Sequence, residues 1–348
     1  MSRLEPSFEH LHRLSDDTGL LEHARGAVPR RECGYCLDDV SRGLVVICRD
    51  PSPSAALVSL AERYLAFANH AQAPDGSCHN RLGYDRRWTD EPSLGDWWGR
   101  SLWASGTAAV RGPTARLRED ALTHFESGAG CRAGAPRTMA FAALGAAEIL
   151  TGHPGHDGAL DLLRSAAHLL ARPSCALVAD AGTAGPRDWL WPEPRLTYAN
   201  AVWAEALMAA GWGLHDDRLT AEGVRLLEWL LTIQTAGGRL SLSPAGGLGP
   251  DDPRPGFDQQ PIEAAGLADA CGRAFDLTGD ERFATGVTRA VAWFLGDNDS
   301  HTPMFDPGTG GGYDGLEPNG RNENQGAEST IALISTLQHG GLLIGNRQ

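Results

Sequence analysis

The sequence predicts an all-α chain folded as an (α/α)6 toroid, six inner helices ringed by about six outer ones. Three observations carry that prediction. Helical segments come in pairs along the chain, and strand-like alternation is nearly absent. One member of each pair is rich in alanine, glycine and other small residues on every side, as in residues 138–147 and 199–210, which suits a helix packed all round. The other member carries one charged face, as in residues 116–124.

The elements follow in order. The first inner helix, 38–48, opens on Asp38 and Asp39 after a Gly34, Tyr35, Cys36 turn. Its outer partner, 54–71, starts on Ser54 and places Leu57, Leu60, Ala61, Tyr64 and Phe67 at helical spacing, with Glu62 and Arg63 between them. The second inner helix, 95–110, opens on Gly95, Asp96, Trp97 and Trp98, and 114–126 lies outside it. The third, 136–150, has Pro136 in its first turn, and a Gly/Pro turn leads to 156–171. The fourth, 196–212, is followed by a Gly213 to Asp217 turn and the outer helix 218–234. A Gly/Pro-rich loop, 244–256, delivers the fifth, 258–275, and Thr278, Gly279 and Asp280 lead into 281–295. The sixth is 325–337. The stretch after His339 holds Gly340, Gly341 and Gly345 and makes a poor twelfth helix, so residues 17–24 are expected to cover that gap. One toroid domain over residues 1–348 accounts for all of it.

Composition narrows the function. The net charge of −14 would repel a phosphate backbone, so nucleic acid is not an expected partner. No apolar run is long enough to cross a bilayer, and residues 1–16 lack the apolar centre of a signal peptide. A cytoplasmic protein is expected. Cys33 and Cys36 form a Cys-x-x-Cys without the second half of a zinc set, so no metal is expected. No strand, glycine loop and helix unit of the dinucleotide-binding type occurs, so no cofactor is expected, nor sugar-nucleotide transfer by this chain alone.

The chemistry gathers where the inner helices begin. In a closed toroid those starts meet at one end, bringing carboxylates, amides, arginines and tryptophans into one funnel. Planar polar groups beside aromatic faces suit a sugar. Glycoside hydrolysis needs two carboxyl groups, one protonated and one ionised. The candidates for that work are Asp258 and Glu323, the preferred pair, with Asp39 and Asp96. Each of the preferred two stands in a polar run longer than a helix cap requires. A wide ring is expected to hold its carboxyls roughly 6.5 to 9.5 Å apart, the inverting geometry. Asp38, Trp97, Arg100, Tyr198, Asn200, Gln259, Gln260, Glu263, Asn324, Gln325 and Glu328 are the expected binders of an oligosaccharide, with Trp97 as a platform. Plainer readings stand beside these: Asp38, Asp39 and Asp96 as helix caps, and Arg100 as the neutraliser of Asp96 four residues before it. A terpene-type cyclase on the same toroid and a non-catalytic glycan binder are the rival functions. An epimerase would lean on histidine, and few histidines fall at inner-helix starts.

Several strings support a family resemblance. They are Asp16 to Leu20, Gly34 to Asp39, Tyr84 to Trp88, Gly99 to Trp103, Leu196 to Tyr198, Phe257 to Glu263, Asp314 to Leu316 and Asn322 to Ser329. On these the chain resembles a bacterial family of (α/α)6-toroid, glycoside-hydrolase-like proteins often encoded beside, or fused to, glycosyltransferases. The resemblance implies the toroid and action on mannose- or glucose-containing glycans. The chain departs from that pattern at Trp97 and Trp98, where smaller polar residues are expected, and at Ala199, where an acid is.

Overall fold

The computed structural model describes residues 5–171 and 189–345. Among them are twelve α-helices and four two-stranded antiparallel sheets of two or three residues per strand. In chain order the helices are α1 (Glu9–Leu14), α2 (Leu37–Cys48), α3 (Ala55–Ala71), α4 (Asp96–Arg111), α5 (Ala115–Gly128) and α6 (Pro136–Gly152). They continue as α7 (Asp157–Leu170), α8 (Ala201–Leu214), α9 (Asp217–Ile233), α10 (Pro261–Thr278), α11 (Glu281–Phe294) and α12 (Ala327–Gly345). The even-numbered helices pack in sequence, and α12 returns to α2, which closes the inner ring. Each odd-numbered helix packs outside an even-numbered one, with α1 against α12. This is the expected (α/α)6 toroid.

Small residues let the inner helices approach closely. A Cβ on Gly106 would lie 2.3 Å from the Gly145 carbonyl oxygen, and one on Gly145 would lie 2.2 Å from that of Leu102. The backbones of α4 and α6 therefore touch where no larger residue fits. Gly99 is explained the same way, since its bare face lies against the Thr138 carbonyl, not against an open pocket.

Two boundaries differ from expectation. α8 begins at Ala201 and not near 196, because Leu196 bridges Leu248 and Ala199 sits at a φ of +46°, both outside a helix. α12 runs on to Gly345 because tertiary packing outweighs the low helix propensity of its glycines: Gly340 lies against Val291. The element over its outer side is α1, while residues 17–24 form turns and bridges. No helix among the described residues is long and apolar enough to cross a membrane.

Candidate functional site

The two rings end differently. Outer helices α3, α5, α7, α9 and α11 are capped by their own Ser54, Thr114, His156, Asp216 and Asp280 side chains. Inner helices α2, α4, α6, α8 and α10 have no such cap. For α2 the cap comes from a distant loop. Asn80 accepts from the Leu37 N–H through its carbonyl at 2.9 Å and from the Asp38 N–H through Oδ1 at 3.3 Å. Asp38 and Asp39 are thereby left for other work in the first turn, where the helix dipole favours an ionised carboxylate.

Those two carboxyls meet a third at one nitrogen. Arg42 Nη2 lies 2.8 Å from Asp38 Oδ1, 2.5 Å from Asp39 Oδ1 and 3.1 Å from Glu328 Oε2. Arg100 also pairs with Asp38. Its guanidinium stacks over Phe141 at 4.3 Å and faces Tyr198 at 5.7 Å, while Arg137 covers Tyr198 at 5.3 Å. A cavity of about 390 Å³ opens above this cluster, lined by Asp38, Asp39, Arg42, Arg100, Tyr198, Gln260 and Glu328. Glu22, His23, Cys36, Asn80, Arg81, Asp314, Gly326 and Ser329 complete its wall.

Crowding separates the two aspartates. Burial pushes Asp39 up; Arg42 opposes this, but Asp38, Glu328 and Glu22 add to it, and the carboxyl reaches about 8 from an ordinary 3.8. Asp38 is also raised by burial, yet the charges of Arg100 and Arg42 outweigh that and hold it below the ordinary range. One acid keeps its proton at neutral pH beside another that has lost it.

Glu22, Cys36 and Asp39 offer three ligand atoms within 4.8 Å of one another, and Cys33 is not part of the group. Glu22 is already paired with Arg81 and Asp39 with Arg42, so their charge is answered from within the chain. Cys36 donates to Asn80 Oδ1 at 3.3 Å, and burial pushes its thiol well above the usual range.

The structure brings together Asp38, Asp39, Arg100, Tyr198, Gln260 and Glu328 of the expected residues, and it places the others elsewhere. Glu323 is a surface residue with a 70% exposed side chain, 3.1 Å from Arg321. Asp258 is half-buried beside Gly315, outside the cavity lining, with Oδ1 unpartnered; burial, then Glu317 and Asp314, push it up to about 6. Asp96 accepts from Thr138, and Trp97 donates to the Cys78 carbonyl at 2.8 Å, so both tie the start of α4 to its neighbours. Arg100 neutralises Asp38 and not Asp96.

The remaining amides and Glu263 are supports. Glu263 accepts from Asn200 Nδ2 at 2.7 Å and from the Ala199 N–H. These bonds hold Ala199 in its left-handed conformation and set the adjacent Tyr198 at the mouth. Gln259 is fully buried and accepts from Trp293 Nε1 and the Leu242 N–H, each at 3.3 Å. Asn324 accepts from the Gly26 N–H at 3.1 Å, and Gln325 binds Thr309 and Asp306.

Arg42 is the residue that sequence reasoning missed. Its spacing of four from Asp38 and three from Asp39 puts it on their helix face, a readable signal. Glu22, Asn80 and Arg81 arrive on loops from far along the chain and leave no such trace.

A larger cavity, about 1360 Å³, opens at the other end of the barrel. Each inner helix sends a charged or titratable side chain to it. Arg49 lies 2.7 Å from Asp269, His339 2.6 Å from the same oxygen, Arg111 2.9 Å from Glu148 and Arg273 3.2 Å from Glu205. Burial raises Asp269, but Arg49 and His339 more than offset this and hold it below the ordinary range.

No family model and no curated protein sequence matches the chain. Solved structures do. A sugar epimerase from a ruminal bacterium aligns with a TM-score of 0.69 at 11% identity, covering 95% of this chain and 94% of its own. A D-mannose isomerase aligns at 0.69 and 12% identity, covering 97% and 94%. An alpha-1,6-mannanase, GH76A of Salegentibacter sp., aligns at 0.59 and 10% identity, covering 96% of each chain. It was solved with alpha-1,6-mannotriose as an inactive variant in which two consecutive aspartates are replaced by asparagine. At these identities the likeness is one of fold.

Proposed function

We propose that this chain is a glycoside hydrolase of the toroid type whose two catalytic carboxyls are Asp38 and Asp39, replacing the expected pair Asp258 and Glu323. The observation that carries the reading is the convergence of Asp38, Asp39 and Glu328 on one Arg42 nitrogen at the floor of the mouth, with Asp39 protonated at neutral pH. The mannanase whose inactive form has two consecutive aspartates replaced lends the pairing support.

Both Oδ1 atoms lie within 2.8 Å of that nitrogen, which keeps them closer together than the roughly 6.5 to 9.5 Å of an inverting pair. The mechanism that fits is a double displacement. Asp38 attacks the anomeric carbon as the glycosidic C–O bond breaks, and Asp39 gives its proton to the departing oxygen. Asp39, now a carboxylate, takes a proton from water as the water displaces Asp38 and frees the sugar. Arg100 and Arg42 keep Asp38 ionised for the first step.

An epimerase or isomerase on this fold is the competing reading. The cavity counts against it, since among the described residues its wall carries carboxyls, arginines, Cys36 and Tyr198, with His23 as the one histidine. The test is NMR product analysis on mannose- and glucose-containing oligosaccharides with wild type, Asp38→Asn and Asp39→Asn. Hydrolysis lost in both variants supports the proposal. A 2-epimer or ketose appearing in place of cleavage products overturns it.

A further inference from the structure

The far cavity holds about 1360 Å³, more than the roughly 300–1,000 Å³ that takes a drug-sized ligand. Trp212 stands in its wall, near the C-terminal end of α8. It is 41% exposed and, with Val28 and Tyr84, one of three large apolar residues open to solvent among those described. Of the three, it alone lines either end cavity of the barrel. A flat aromatic face inside a concave, polar space is a surface that a ligand can cover.

In the inner ring α8 packs between α6 and α10, so Trp212 stands between helices that carry ion pairs. α6 brings Glu148, 2.9 Å from Arg111 of α4, and α10 brings Arg273, 3.2 Å from Glu205. The arginines reach open space: the Arg111 side chain is 51% exposed and that of Arg273 22%. Asp276, about a turn beyond Arg273, adds an exposed carboxyl to the wall. An anion does not suit this set, since both arginines already have a carboxylate and the lining carries more carboxyls than arginines. An apolar ligand would strip water from charged groups and return no hydrogen bond. A neutral sugar meets both needs. Guanidinium groups donate to its hydroxyl oxygens, and carboxylates accept from its hydroxyl hydrogens. The C–H face of a pyranose ring lies flat on an indole and takes it out of water.

We infer that the far end of the barrel is a second site, for a neutral saccharide, with Trp212 as its platform and Arg111, Arg273 and Asp276 binding hydroxyl groups. The inference stands on the far cavity alone and requires no assumption about the reaction at the mouth.

The test is a wild-type crystal soaked in maltotriose or mannotriose, together with calorimetric titration of the same sugars. The titrations use Asp38→Asn, so that hydrolysis at the mouth does not consume the probe, alone and combined with Trp212→Ala or Tyr198→Ala. The expected result is pyranose density against the Trp212 ring. One binding step should weaken about tenfold with Trp212→Ala and stay unchanged with Tyr198→Ala. Because Tyr198 belongs to the mouth, that step survives even if the mouth binds no sugar, and the two readings fail separately. Sugar density confined to the mouth or absent from both ends, or titrations that Trp212→Ala leaves unchanged, overturns the inference. So does spermidine bound at the far end of a soaked crystal where no saccharide binds. The wild-type crystal decides whether or not the variants fold.

Discussion

The two ends of the barrel use the same residue types and reach opposite balances. At the far end arginine–carboxylate pairs run mostly one to one between neighbouring or facing inner helices, and Asp269 is held firmly ionised. At the mouth three carboxyls share one nitrogen of Arg42, and Asp39 is forced to keep its proton up to about 8. The far cavity is the larger, and its carboxyls Asp269, Glu148 and Glu205 each have a cationic partner, although burial and Asp269 push Glu205 up against the pull of Arg273. The mouth is smaller and carries the frustration. On the function proposed above, the smaller cavity and not the larger is the site of the reaction. That imbalance of charge is what the proposed acid–base role of the mouth rests on.

That contrast can be broken at either end. The largest effect is expected from Asp39→Asn, which should cost two to four powers of ten in kcat with glycan affinity mostly kept. Its stability should hold or rise slightly, because an over-subscribed acid has been removed. Asp269→Asn should behave in reverse. It leaves Arg49 buried without its full partner, and chemical denaturation should show a loss of about 3–5 kcal/mol while activity per folded molecule stays near wild type.

The pH dependence follows from the two shifts. Asp39 is raised, so its contribution to stability is full below 3.8 and is lost as pH climbs through about 8. Asp269 is lowered, so its contribution is present above 3.8 and is lost only on strong acidification. Activity that needs the Asp39 proton should therefore fall on an alkaline limb near pH 8.

The fold was more legible than the site for a physical reason. Helix pairing, small-residue inner faces and turn glycines are local signals, and they placed eleven of the twelve helices. Of the proposed site, Asp38, Asp39, Arg100, Tyr198, Gln260 and Glu328 were readable because they sit at or beside inner-helix starts. Asp258 and Glu323 drew attention for the same polarity, but Glu323 is an exposed loop residue just after a short strand and Asp258 lies beside Gly315, both outside the cavity lining. A run of polar residues shows that a loop is wet or hydrogen-bonded, and not which way it faces. The self-supplied caps of the outer helices, against caps borrowed from distant loops, required the tertiary structure to see.

Smaller effects sharpen the comparison. Tyr198→Ala removes an aromatic wall held between two arginines and should raise KM up to about tenfold with little change in kcat. Glu323→Gln should leave activity unchanged and shift stability by less than about 0.5 kcal/mol, as its ion pair is exposed.

The most direct measurement is a ¹³C NMR titration of the aspartate carboxyls, with Asp39 assigned by comparison with Asp39→Asn. The charge crowding described here predicts an Asp39 midpoint near pH 8, with Asp269 ionised throughout the titrated range. An Asp39 midpoint in the ordinary carboxylate range, close to 3.8, would contradict it.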